Sequence, residues 1–250
     1  MNENRDAFVL LKCVESQFAE SILDGKFYFA RNSYFIDLEE KQIDIGIGDK
    51  REGVWSRVLD SKKDKLSFIT EDGVEIPFTY NRCVFRQTNS ELKHCPICCF
   101  VMLSVNNDFI VNEEQSILTL KPEVERKLSE QFAGRDLILI TNIDEFIERM
   151  DVTCKKEKLG WMRGRVAYYD DETECHPLSR EEAESNPART LLYKRKFFEF
   201  QKEFRYIIKT PQDNNKLLEV GNIRDIAYNL GTIKKGKFQI GFRYSVETTV

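Results

Sequence analysis

Near the end of the chain, Gln201 and Glu203 flank a single lysine in the run FFEFQKEFRYIIK. On an extended backbone, residues two apart share a face, so an amide and a carboxylate would project side by side about 7 Å apart. A carboxylate so placed can accept a hydrogen bond from a ribose hydroxyl and stabilise a developing oxocarbenium ion, while the amide orients an incoming nucleophile. Period two sets Phe198, Phe200, Lys202, Phe204, Tyr206 and Ile208 on one face and Glu199, Gln201, Glu203 and Arg205 on the other. A helical reading also fits Phe197, Phe200, Phe204 and Ile207, but the aromatic and β-branched enrichment favours a strand. The bland reading of the polar face is solvent, with Glu203 and Arg205 in cross-strand ion pairs.

Other chemistry finds less support. Cys95-Pro-Ile-Cys98, beside His94 and Cys99, has half the spacing of a zinc site, but a tetrahedral site needs a second pair. Cys154 is isolated and Cys175 adjoins His176, so no metal is expected, and buried thiols in a strand core are the simpler account. A Cys–His nucleophile pair is conceivable, yet nothing local singles one out. Walker, GxSxG, HExxH and GxGxxG patterns are missing, and GIGDKREG does not run from a strand into a capped helix. Basic residues gather in two spans, Lys155, Lys156, Lys158, Arg163 and Arg165, then Arg189, Lys194, Arg195 and Lys196. Either a phosphate-bearing target or ordinary solvation explains them.

The elements that must position these groups follow from patterning. AFVLLKCV reads as a buried strand; Ser16 is placed to cap a helix carrying Phe18, Ile22 and Leu23, with Gly25 beyond its end. KFYFAR alternates as a second strand, and NSYFIDLEEKQIDIGIGDKREG reads as a long covering loop. VWSRVLD, KLSFIT and VEIPFTY are short strands, the last two joined by a turn at Glu71-Asp72-Gly73. HCPICCFVML is the most apolar run and reads as a central strand buried on both faces. A helix follows from Pro122 to Phe132, ended by Gly134, then the strand DLILIT, then a helix opened by the Asn142–Glu145 capping spacing. DDETECHPLSREEAESNPAR reads as a polar loop, and KFQIGFRYSV as a late strand. With 41% hydrophobic and 32% charged residues, disordered and fibrous classes are excluded. The expectation is one α+β domain over 1–250, with an antiparallel-rich mixed sheet and a few flanking helices.

The Gln201-x-Glu203 arrangement resembles the Gln/Glu-x-Glu motif of ADP-ribosyltransferases. A helix ending in G-x-(F/Y)-(F/Y), the segment Gly48, Asp49, Glu52, Gly53, and the late Glu203 and Arg205 are together similar to a group of bacterial proteins related to phage-defence and toxin modules. The resemblance implies an ADP-ribosyltransferase-like fold and NAD as substrate, with Glu203 on the nicotinamide ribose and Gln201 near the acceptor. The Arg or His of that family's first strand is replaced here by a strand offering only Lys12, and its Ser-Thr-Ser motif is missing. Arg31 with Asn32 and Tyr34 form an alternative anchor, the guanidinium for a pyrophosphate and the ring for stacking. Asp49 and Arg51, on the charged loop, are further cofactor-side candidates. Lys155, Lys156, Arg163 and Lys194 would meet the target, a nucleic acid or protein acceptor. A cognate antitoxin is the partner a toxin would imply. The alternative is a non-catalytic nucleotide- or partner-binding module of a bacterial defence system. No apolar run approaches the ~20 residues that span a bilayer, and MNENRDAF lacks a basic n-region, so a cytoplasmic protein without membrane contact is expected.

Overall fold

The computed structural model describes residues 7–41, 48–112, 114–238 and 240–243. The chain opens with β1 (Phe8–Glu15), α1 (Ala19–Leu23), β2 (Lys26–Arg31) and α2 (Asn32–Glu40). Four strands follow as nested hairpins, β3 (Trp55–Asp60), β4 (Leu66–Ile69), β5 (Glu75–Phe78) and β6 (Arg82–Gln87), and then β7 (Pro96–Ser104). The middle of the chain holds α3 (Val105–Asp108), β8 (Phe109–Asn112), β9 (Ile117–Leu120), α4 (Pro122–Gln131), β10 (Arg135–Ile140) and α5 (Ile143–Lys156). The last part comprises β11 (Trp161–Arg165), β12 (Ala167–Tyr169), α6 (Arg180–Ser185), β13 (Tyr193–Arg195), β14 (Glu203–Ile208), β15 (Lys216–Glu219), β16 (Ala227–Thr232) and β17 (Gly241–Arg243).

The expected α+β class with an antiparallel-rich sheet is what the protein has. Its main sheet runs β11-β14-β7-β1-β10-β16, with β2 and β15 attached beside β7. Every pairing in it is antiparallel. β7 is central because its side chains are apolar on both faces, the condition for a strand covered twice. Cys98, Phe100 and Met102 enter a core with Phe27, Phe146 and Met150, while Val101 and Leu103 pack with Val124 and Leu128 of α4. Phe146, Met150 and Cys154, four residues apart along α5, are fully buried. Burial of each large one is worth about 1.5–3 kcal/mol, and a charge at Met150 would cancel that contribution. The Asn142 side chain caps α5 by accepting the Glu145 N–H at 3.0 Å.

The registers on one edge of β7 leave a break in this sheet. β1 accompanies β7 only from Phe8 to Leu11, opposite Ser104 to Val101. It then diverges with β10 as far as Glu15. β2 reaches the same edge of β7 only at Ala30 and Arg31, opposite Ile97 and Pro96. Between them Cys98, Cys99 and Phe100 have no strand on that edge among the described residues. The sheet is split there, and a cleft of about 400 Å³ opens.

Several expectations need correction. The segment expected as a loop from Asn32 begins with α2, which buries Asn32, Ile36 and Leu38; residues 42–47 of it lie outside the described residues. Ser16 caps no helix: a 3₁₀ turn Ser16–Phe18 precedes α1, and the Ser16 hydroxyl donates to Asp136 at 2.7 Å. The polar loop after Asp170 contains α6, opened by a reciprocal Ser179–Glu182 capping box. Of the late strand KFQIGFRYSV, Gly241–Arg243 is extended as β17, while Gln239 and the residues after Arg243 lie outside the described residues, as do residues 1–6 of the N-terminal run. Finally, the stretch before Glu203 is not a strand. Lys196–Gln201 is 3₁₀, and Lys202 adopts a left-handed φ of 46° that turns the chain into β14.

Candidate functional site

Alternation holds from Glu203 onward and puts Glu203 and Arg205 on the sheet face opposite Phe204 and Tyr206. Solvent is not what meets that polar face. Glu203 is 8% and Arg205 2% exposed. The charges are buried because each finds a partner, the only condition under which burial is tolerable.

Glu203 Oε1 accepts from Lys194 Nζ at 2.7 Å and Oε2 from Arg205 Nε at 2.6 Å. Lys194 also donates to Gln201 Oε1 at 2.8 Å and lies 4.5 Å over the Phe198 ring. Arg205 forks onto Glu52 at 2.6 and 3.2 Å and donates to the Leu191 carbonyl at 2.5 Å. Lys194 Nζ also lies 3.8 Å from Glu52 Oε2, so Glu203 and Glu52 share two cations. The loop before β3 delivers Glu52, and Gly53 with φ 74° is required there, since a Cβ would meet Leu191 Cδ2 at 2.9 Å. The Glu203 N–H donates to the Tyr168 hydroxyl at 2.9 Å.

The two carboxyls are pushed apart in acidity. Burial alone would raise Glu203, but Arg205 and Lys194 outweigh it and bring the carboxyl down to about 2. Glu52 is enclosed completely, and there burial prevails over the same two cations and raises its carboxyl. Glu203 is therefore a fixed negative charge at neutral pH.

Glu203, Lys194, Gln201 and Arg205 form one wall of the cleft in the split sheet. β7 supplies the floor, where the Cys99 carbonyl, which no strand among the described residues meets on that edge, accepts from Lys12 Nζ at 2.6 Å. Tyr34 and Phe35 of α2, edge to face at 5.4 Å, line it with Tyr28 and Phe18; Arg135 joins Lys12, Lys194 and Arg205 as a further cation on the lining. Thiols on the lining are not activated: burial raises Cys98 and Cys99 and pushes Cys13 up to about 12. Among the described residues, no group of three or more His, Cys, Asp or Glu could hold a metal.

Of the residues proposed from sequence, Glu203, Gln201, Lys194 and Tyr34 come together on the cleft. Lys194 is buried there, not presented on a surface to a target. Arg31 turns away, its backbone N–H on Asn215 and Nη1 on the Asp213 carbonyl at 2.9 and 2.8 Å. Asn32 is buried against a separate cavity of about 210 Å³ that Glu52 also lines. Asp49 holds Arg195 at 2.8 Å, with Glu39 on the same guanidinium. Arg51 pairs with Asp171 and Glu172 outside the cleft. Lys155 and Lys156 are exposed at the end of α5, whereas Arg163 is paired with Asp151 at 2.7 Å. Sequence reasoning left Glu52, Arg205 and Lys12 out of the site, although the Gly48–Gly53 segment and the Glu-x-Arg spacing carry the first two. Comparison of the chain with protein-family models, curated proteins and solved structures finds no match, so the chemistry of the cleft is the ground for its function.

Proposed function

We propose that this protein is an NAD-consuming ADP-ribosyltransferase-like enzyme of the toxin or phage-defence kind, acting on a nucleic acid or protein acceptor. The observation that carries the reading is Glu203, an ionised carboxylate on the wall of a cleft that also offers rings and cations. Its volume falls within the roughly 300–1,000 Å³ of ligand pockets. Tyr34 would stack on a planar base. Arg135 and Lys12 would meet phosphates. A ribose hydroxyl would donate to a remaining lone pair of Glu203, with Gln201 and Lys194 keeping the carboxylate in place. In the transfer, the bond from ribose C1′ to the nicotinamide nitrogen breaks, and its electron pair leaves with neutral nicotinamide. The acceptor's nucleophile bonds to C1′ and gives its proton to solvent. Glu203 stabilises the positive charge that develops on the ribose between these events.

One observation favours a second reading, a non-catalytic nucleotide-binding module: both Glu203 oxygens are already paired with cations, which reduces the charge available to a transition state. Adenine-labelled NAD incubated with the protein and with separate protein, RNA and DNA fractions distinguishes the two. Wild type should release nicotinamide and label one fraction, and Glu203→Gln should lose about 10²-fold or more in rate while still binding NAD by equilibrium dialysis. NAD bound without nicotinamide release from any mixture would favour the module and sink the transferase.

A further inference from the structure

Residues 61–82 form an arm in which β4 and β5 pair only with each other. Its turn is well built. Thr70 N–H donates to the Val74 carbonyl and Gly73 N–H to the Thr70 carbonyl, with Gly73 at φ 80°, the three-residue hairpin loop with a left-handed glycine. Leu66 lies opposite Phe78 and Phe68 opposite Ile76, so one face is an apolar stripe with Val74 at its end. Nothing among the described residues covers it. Phe68 is 64%, Phe78 58%, Val74 54% and Ile76 50% exposed, and residues 71–79 are exposed throughout. A lone two-stranded hairpin is marginal in water, and an uncovered apolar face of this kind marks an interaction site.

Charge is divided along the same arm. Glu71, Asp72 and Glu75 make its tip acidic, while at its root Lys62, Lys63, Lys65 and Arg82 outnumber Asp60 and Asp64. Asp64 is moreover paired with Arg57 at 3.0 Å. One element therefore holds both halves of a complementary surface: an apolar face that can pack on its own copy, and opposite charges at its two ends.

We propose that the arm is a homotypic docking surface, on which a second copy of this chain lays its own arm, apolar face to apolar face and antiparallel, about a two-fold axis. The acidic tip of each arm then meets the basic root of the other, and the two faces stack as packed sheets do, about 10 Å apart. A foreign partner would have to reproduce this apolar and charge pattern independently; a second copy has it already. The proposal does not depend on the chemistry of the cleft.

Sedimentation equilibrium of the full chain, up to about 100 µM and at low and high salt, tests it. Wild type should be a reversible dimer that weakens with salt. Phe68→Glu should raise the dissociation constant at least about tenfold and leave the circular dichroism of the monomer unchanged, since the position is exposed. Reversing the root (Lys62→Glu with Lys63→Glu) or the tip (Glu71→Lys with Asp72→Lys) should each weaken the dimer, and the four changes together should restore it. A monomer at about 100 µM in low salt, a dimer indifferent to Phe68→Glu, or a four-fold variant that stays monomeric each overturns the proposal.

Discussion

Replacing Arg205 with Met removes the guanidinium that joins both buried carboxylates and keeps most of the side-chain volume. Four donor contacts disappear, to Glu203 at 2.6 Å, to Glu52 at 2.6 and 3.2 Å and to the Leu191 carbonyl at 2.5 Å. The larger effect is on what stays behind. Among the described residues, the cation left to Glu52 and Glu203 is Lys194, whose Nζ is 2.7 Å from Glu203 but 3.8 Å from Glu52. Breaking one side of a buried ion pair costs about 3–5 kcal/mol, a large part of the roughly 5–15 kcal/mol that holds a domain folded. Urea unfolding at pH 7, followed through Trp55 and Trp161 fluorescence, should show a midpoint lowered by roughly 1–2 M at a slope of about 3 kcal/mol/M, the upper end of the usual range, since slopes rise with chain length. Adding Glu52→Gln removes the stranded charge and should recover at least about 1 kcal/mol relative to the single variant. Lower pH should shrink the loss as well, because Glu52 is the carboxyl that burial raises. A loss under about 1 kcal/mol at pH 7, or a double variant no more stable than the single one, would refute the claim that this network is an interdependent buried unit.

Glu203 is lowered from 4.5 to about 2, so its pairing stabilises fully above pH 4.5 and the contribution drains as pH falls toward 2; Glu203→Gln should flatten the melting temperature across that window. His176 is wedged between Tyr169 and Tyr193 at 5.2 and 4.7 Å, and burial lowers it from 6.5 to about 4. The unfolded chain therefore takes up its proton first as pH falls, stability is lost from 6.5 down to 4, and His176→Phe should reduce the slope by at most about 1.4 kcal/mol per pH unit. Gly25 has φ 81°, and a Cβ there would sit 1.8 Å from the Gly221 carbonyl oxygen; Gly25→Ala should cost at least about 2 kcal/mol, a drop of roughly 4–8 °C on a thermal melt. Tyr34→Ala and Lys12→Met should each weaken NAD binding in equilibrium dialysis without a comparable loss of stability for Tyr34→Ala, because that ring is exposed; unchanged affinity in both would move the nucleotide out of the cleft.

What could be read from the sequence is what local chemistry decides. β7 announced itself by an unbroken apolar run, α5 by the Asn142 cap and its four-residue spacing, and the arm by Asp72-Gly73 between two alternating segments. α2 was missed because its charges and the glycines after it outweighed Ile36 and Leu38, two apolar residues that are enough to seat a short helix. The 3₁₀ turn at Lys196–Gln201 was missed for another reason: aromatic alternation continues through it, and only the backbone of Lys202 reveals that the strand starts later. The polar face of β14 was legible as a face but not as a buried one. Its burial depends on Glu52, 153 residues from Arg205, and on Lys194 from β13, and no local pattern links residues that distant. The split beside Cys98–Phe100 likewise follows from the registers of β1 and β2 on one edge, not from any property of those two strands alone.

The acidities in the cleft narrow the chemistry that can occur in it. With Lys194 and Arg205 holding its carboxyl at about 2, Glu203 has no proton to give near neutral pH and little tendency to take one, so it serves poorly as general acid or base. The neighbouring thiols of Cys13, Cys98 and Cys99 are raised out of the nucleophilic range by the same burial. What Glu203 retains is a fixed position and a negative charge that survives burial. A reaction suited to such a group develops positive charge next to it and loses a leaving group that needs no protonation. Departure of a pyridinium base from a ribose meets both conditions, because the base leaves neutral when it takes the bonding pair. Lys194 and Arg205 then act in two opposed ways: they keep Glu203 ionised inside the protein, and they temper the charge it offers. The balance between these effects sets how fast such a cleft could work, and it explains why the Glu203→Gln rate and the NAD affinity have to be measured on the same protein.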